Sequence, residues 1–202
     1  MKLYYSPAAC SLSPHIVLLE AGLPFTLEKV DLKTKKTAAG IDFLTVNSKG
    51  AVPALQLDDG RVLTEGPAVV QYLADQKPDS GLAPRAGTFE RYRLMEILNF
   101  ISSELHKGFG PLFNPKISAD WKASILLNLD KKLAWLAGHL GDKPYLMGND
   151  FTVADAYLFT VLSWSARVGV DLAPWPPLTA YQSRVAQRPK VQQALKDEGL
   201  LK

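Results

Sequence analysis

The sequence predicts a two-part chain: a mixed α/β segment over residues 1–77 and an all-helical segment over residues 89–202. Three observations carry that prediction. Strand-like and helix-like patterns alternate up to about Gln76, and strand patterns then stop. The stretch 78–88 holds two prolines, two glycines and a serine, the punctuation of a linker. Beyond it apolar residues recur at three- and four-residue steps, as at Leu126, Leu129, Leu133 and Leu136.

In chain order, Leu3-Tyr4-Tyr5 reads as a short strand. Ser11 to about Gly22 reads as a helix, with Leu12, Ile16 and Leu19 on one face and Gly22 as its stop. Ser11 and Ser13 are both candidate N-caps. Phe25 to Val30 reads as a second strand. Residues 31–45 are ambiguous between a loop and a short helix. Asn47 to Gly50 is a turn, after which Val52-Pro53 enters a strand at Ala54 to Leu57; proline suits a strand's first residue. Asp59-Gly60 predicts a hairpin to Val62-Leu63. Thr64-Glu65-Gly66-Pro67 opens a helix to about Gln76. The order is β-α-β, then β-β-α. In the second segment a helix is expected from Phe89 to Lys107, broken at Gly108-Phe109-Gly110-Pro111. Others are expected over 119–140 and 152–168, with two short ones flanking Pro189.

The totals narrow the functional classes. The 202 residues are 47% hydrophobic and 21% charged with net charge +3, ordinary for a globular chain with an ample core. The basic residues are interleaved with acids, so no phosphate-binding stripe is expected. A single cysteine leaves no internal disulfide and no multi-cysteine metal site, and no metal is expected. No leader-like opening and no apolar run of membrane-spanning length is read, so a reducing cytoplasm is the expected compartment.

Few stretches carry chemistry by themselves. Cys10 lies between a strand and a helix start, where backbone N–H groups and the helix dipole favour an anion and make a thiol more reactive. Its bland alternative is a small apolar residue under a helix. Thr152 and Asp155 form a capping-box pattern with Phe151 as staple, a folding signal. Asn99, Ser103 and His106 share one helical face, opposite an apolar face of Leu94, Leu98, Ile101 and Leu105. That strip is either the wet side of a core helix or the lining of a cleft. His15 is expected to be structural. His139 sits in a last helical turn, where a cation suits the dipole. Tyr157 and Trp164, at helical spacing, are expected in the core.

With Cys10, Val52-Pro53, Glu65-Gly66 and the Thr152–Asp155 box in place, the chain resembles the glutathione transferases, and specifically the bacterial beta class. ELHKGF at 104–109 and ADAYLF at 154–159 sharpen the likeness, which covers nearly the whole length. It is also similar to members associated with biphenyl breakdown. The resemblance implies an N-terminal thioredoxin-like domain over 1–77, a linker over 78–88 and an all-helical domain over 89–202. It implies a cis bond at Val52-Pro53.

The resemblance further implies a glutathione site. Val52 and Pro53 would face the cysteinyl part, and Glu65 and Gly66 the γ-glutamyl end; many other classes carry serine where this chain has Gly66. Cys10 and Ser11 would lie near the sulfur. Lys35, Asn99, Ser103, His106 and Lys107 would hold further portions, some from the partner subunit of a homodimer. Cys10 and His106 would be catalytic. Either the glutathione thiolate attacks an electrophilic carbon, halogenated aromatic products included, or Cys10 exchanges disulfides with glutathione. A hydrophobic electrophile would pack near Phe109, Pro111 and Trp164. Glutathione would be a co-substrate, with no tightly bound cofactor. The alternative is a non-catalytic binder of apolar ligands or of a protein partner.

Overall fold

The computed structural model describes residues 1–201. The chain forms two compact units. One holds Met1–Ala83 together with residues 188–201; the other holds Pro84–Gln187.

The first unit is built on a five-stranded mixed sheet in the order β3-β2-β1-β4-β5. Its elements are β1 (Lys2–Tyr5), α1 (Leu12–Ala21), β2 (Thr26–Asp31), β3 (Lys36–Thr37), β4 (Ala54–Gln56), β5 (Val62–Thr64) and α2 (Gly66–Gln76). β1 pairs parallel with β2, placing Leu3 opposite Leu27, and antiparallel with β4, placing Leu3 opposite Leu55. The β4–β5 hairpin turns where Asp59-Gly60 predicts it, with Gly60 at φ 87°. Successive side chains of β1 alternate between faces. Leu3 is fully buried, while Tyr4 joins Val30, Phe43, Val52 and Ala54 in a separate cluster. The ambiguous stretch 31–45 supplies β3 and a 3-10 turn at Phe43–Thr45, which puts Phe43 into that cluster.

α1 buries residues all round rather than along one stripe. It packs against α2 and also against the last helix of the chain, Pro189–Asp197. That corrects the expected partition, which placed all of 89–202 in the helical domain. The terminal segment belongs to the first unit because Arg188 grips Glu20 through two hydrogen bonds of 2.7 and 2.9 Å, and Val191 and Ala194 are fully buried. The expected linker contains a 3-10 turn at Pro78–Ser80.

The second unit is helical: α3 (Phe89–Phe100), α4 (Lys107–Phe109), α5 (Ala119–Leu140), α6 (Val153–Leu162), α7 (Ser165–Val168) and α8 (Pro176–Ala186), with α9 being the terminal helix above. Thr88 caps α3 by accepting the Arg91 N–H, and Ser118 caps α5 by accepting that of Trp121. The expected single helix over 89–107 is three pieces. Ile101–His106 is a π-helical turn, in which the Lys107 N–H reaches back five residues to the Ser102 carbonyl. Gly108 does not break the chain. A Cβ there would stand 2.7 Å from Leu129 Cδ2, so glycine permits the close approach of α5. The expected helix over 152–168 is likewise divided, into α6 and α7.

The capping box at the start of α6 is present. The Asp155 carboxylate accepts from the Thr152 N–H at 2.8 Å and the Thr152 hydroxyl at 2.9 Å. It also accepts from the Leu146 N–H and the Tyr181 hydroxyl, so it ties a loop and α8 to α6. Phe151 packs edge-on against Tyr145 at 5.6 Å.

Candidate functional site

In the first unit the expected residues gather around two turns. β1 leads into Ser6-Pro7-Ala8-Ala9-Cys10, and α1 begins two residues past Cys10. Cys10 is half-buried, and its thiol donates to the Val52 carbonyl at 3.1 Å. The Val52–Pro53 bond is cis, as the resemblance implies. One consequence of the fold is therefore local: the turn before α1 and the entry to β4 meet at a sulfur.

Ser11 departs from expectation. It is fully buried, and its hydroxyl donates to the Ser6 carbonyl while accepting the Ser6 N–H. It closes the Cys10 turn from inside and neither caps α1 nor presents a side chain to a ligand. Ser13 donates to the Cys10 carbonyl at 2.8 Å. Ala8, in the same turn, adopts φ 60°, and its N–H donates to Glu198 Oε2 at 2.9 Å. Glu198 Oε1 lies 3.1 Å from Nδ1 of His15, which is fully buried beside Phe25. His15 is structural, as expected. Glu198, just past α9, is a contributor that no local pattern in the sequence reveals.

Lys35 and Glu65 share the uncommon backbone of Ala8, at φ 56° and 70°. Lys35 Nζ donates to the Gly50 carbonyl at 2.8 Å, so it ties the turn before β4 to the β2–β3 connection. Glu65 stands at the start of α2 with an exposed carboxylate paired to Lys49, a partner the sequence reading missed. Pro67 has no N–H, and those of Ala68 and Val69 return to the Glu65 carbonyl. The Gly66 N–H is the amide of this first turn with no such return bond. A hollow of about 700 Å³ along β2 and β3 touches the Cys10 turn only at Ser6.

In the second unit the expected polar strip is resolved residue by residue. Asn99 and Lys107 are exposed. The Ser103 hydroxyl donates to Glu104 at 3.2 Å, and Glu104 pairs with Lys132 at 2.7 Å. These contacts hold the Glu104 carboxyl below its usual range, the Lys132 hydrogen bond being the larger cause. His106 is half-buried, with Nδ1 2.7 Å from the Tyr157 hydroxyl and its ring edge-on to Trp164 at 4.8 Å.

The expected apolar wall needs revision. Phe109 is fully buried and belongs to the core, because the helix continues through it. Trp164 is 5% exposed, and Pro111 is half-buried. Phe113, which the sequence reading passed over, is 48% exposed and meets Trp164 at 5.8 Å. His139 is also revised. It stacks on Trp135 at 5.1 Å, and burial, then Lys143, pushes its pKa down despite its place in the last turn of α5. Among the described residues no group of side chains is arranged to hold a metal ion, and no helix is long and apolar enough to cross a membrane.

The chain is similar to known proteins over nearly its whole length. Residues 8–76 match the family model for the glutathione S-transferase N-terminal domain, and residues 89–182 that for the C-terminal domain. The chain is 49% identical over 200 residues to glutathione S-transferase GstA of Escherichia coli O157:H7, covering 99% of this chain and 100% of the relative. Among solved structures, the ternary complex of the bacterial transferase BphK superposes with a TM-score of 0.98 at 62% identity, covering 99% and 100% of the two chains. A sphingomonad glutathione S-transferase complexed with glutathione gives 0.95 at 53% identity, with full coverage of both. A beta-class enzyme of Sphingomonas chungbukensis gives 0.96 at 54% identity, again with full coverage of both.

Proposed function

Given that the chain belongs to the glutathione S-transferase family, we propose that it uses the thiol of glutathione against electrophilic substrates, with the tripeptide lying along the first unit and its sulfur beside Cys10. The observation that carries this reading is the Cys10 thiol held against the Val52 carbonyl at the entry to β4. A ligand placed there as an extra strand would meet the Val52 and Pro53 backbone. Glu65 then takes the ammonium of the γ-glutamyl end and the Gly66 N–H its carboxylate, at a helix start suited to an anion. Lys35 faces the other carboxylate. Asn99, Ser103, His106 and Lys107 are the donors that the helical unit offers, and Phe113 with Pro111 its apolar surface for an electrophile.

Two routes are open to the sulfur. In conjugation, the glutathione thiolate forms a carbon–sulfur bond and expels halide, or adds to an activated double bond. In exchange, the Cys10 thiolate attacks the glutathionyl sulfur of a mixed disulfide between glutathione and another thiol, forms a Cys10–glutathione disulfide and releases the other thiolate. A glutathione thiolate then attacks that disulfide, giving oxidised glutathione and freeing Cys10. Self-association is supported by Phe89, Tyr92 and Met95, which α3 leaves 72%, 60% and 36% exposed. A dimer is read by light scattering.

Retention on immobilised glutathione together with turnover of a chloronitrobenzene is the expected result. Retention without turnover of any electrophile or disulfide would return the chain to a binding role. Intact mass after exposure to oxidised glutathione decides the second route: an adduct of one glutathionyl group, absent in Cys10→Ala, supports it.

A further inference from the structure

The helical unit holds a hollow of about 410 Å³ that is lined by none of the residues assigned to glutathione. Along it runs a row of three rings. Phe100, which ends α3, meets Trp135 of α5 at 4.4 Å. Trp135 stacks on His139, one turn further along α5, at 5.1 Å with 16° between the ring planes. Trp135 is 49% exposed. Phe89 and Met147 extend the apolar lining. A hollow of this volume holds a small organic molecule, and a row of rings favours a flat one.

The charges of the lining do not cancel at these rings. Arg93 is spent on Glu96 at 2.7 Å. Among the described residues no carboxylate pairs with the Lys143 ammonium. Burial is the largest cause holding His139 below its ordinary value; Lys143 is next, and Arg93 acts in the same direction. The Leu146 backbone and Glu96 oppose them, and Glu90 is the remaining acid of the lining. The His139 ring is thus neutral at about pH 7 and presents a flat face beside an unpaired cation. We propose that this hollow of the helical unit binds a flat aromatic carboxylate of about two fused rings, stacked along Phe100, Trp135 and His139 with its carboxylate on Lys143. Stacking removes the exposed face of Trp135 from water, and the carboxylate gives Lys143 a charge-assisted partner. The inference stands whether or not the first unit binds glutathione.

Isothermal titration of the full chain with naphthoate, in saturating S-methylglutathione, reads the site. One naphthoate per chain is expected, with the uncharged naphthalenemethanol bound about three- to tenfold more weakly. Trp135→Leu should weaken naphthoate about tenfold. Lys143→Gln should weaken it about three- to tenfold and abolish the preference for the acid over the alcohol. Both variants should keep the wild-type retention on immobilised glutathione and the wild-type circular dichroism. Bound carboxylate should also raise the pKa of His139, followed through its ring-proton resonance, because an anion favours the charged form. Absence of binding, equal binding of acid and alcohol, or unchanged affinity in both variants overturns the proposal. So does competition by S-methylglutathione, which would place the naphthoate in the glutathione site. Phe89 also belongs to the α3 face on which self-association rests, so light scattering accompanies the titration. Naphthoate binding that appears only as a dimer dissociates gives the hollow to a second copy of the chain and overturns the ligand assignment.

Discussion

Asp155 in the helical unit and Glu198 in the first unit are both buried carboxylates, 0% and 6% exposed. Their surroundings differ. Asp155 accepts from the Leu146 and Thr152 N–H groups and from the hydroxyls of Thr152 and Tyr181, all of them neutral donors. Burial raises its pKa and those donors oppose the rise. Glu198 accepts from the Ala8 N–H on one oxygen and lies against the buried His15 ring with the other. The first carboxylate joins a loop and two helices of the core. The second joins the end of the chain to the turn that carries Cys10. A buried carboxylate is thus a lock in both units, but only one of the locks holds the turn that carries Cys10.

That contrast sets the expected outcomes. Asp155→Asn turns an amide toward donors that need an acceptor and should cost about 3 kcal/mol of stability in denaturant unfolding. At a temperature where it is folded, its glutathione affinity should equal the wild type's. A weakened affinity at equal folded fraction would break the division. Glu198→Gln should cost less, about 2 kcal/mol, because fewer groups point at this carboxylate, the Ala8 N–H on one oxygen and His15 on the other. It should weaken glutathione binding as well, since the Ala8 turn loses its tether; stability loss without that effect would make Glu198 as purely structural as Asp155. Thr152→Ala removes one of the donors to Asp155 and should cost about 1 kcal/mol, leaving binding untouched.

The smallest effect is in pH dependence. His139 is held below its ordinary value of 6.5 by burial, then by Lys143. The unfolded chain therefore binds this proton more readily, and stability falls as pH drops from 6.5 toward the folded value. Above that window no penalty applies. His139→Gln should flatten this part of the stability–pH curve measured by thermal unfolding, and an unchanged curve would place the acid sensitivity elsewhere.

What could be read in the sequence follows contact range. The Thr152–Asp155 box spans three residues, and the Asp59-Gly60 hairpin is as local, so both are written in adjacent letters. Cys10, Glu65 and Gly66 stand out only through the family's motifs, since no pattern of their own neighbours marks them. The Ala8–Glu198 bond joins residues 190 positions apart. Nothing in Lys196-Asp197-Glu198 distinguishes it from a solvated charge run until α9 is laid on α1. The π-turn was invisible for a different reason. Leu94, Leu98, Ile101 and Leu105 keep a helical rhythm across it, and one wider turn alters where His106 points without altering that rhythm. Phe109 was misplaced because a glycine on each side suggested a break, where Gly108 in fact lets α5 come close.

The left-handed backbone at Ala8, Lys35 and Glu65 has a consequence for anyone breeding a hardier version of this protein. Each side chain holds its position at a conformational cost of about 1–3 kcal/mol that glycine would not bear. Screening variants for heat resistance alone should therefore enrich glycine at these positions. Each such gain would loosen the Cys10 turn, release Lys35 from Gly50, or remove the carboxylate at the head of α2. Screening for turnover should hold all three, so a library sorted both ways would mark out, without any ligand in view, where this chain trades durability for work.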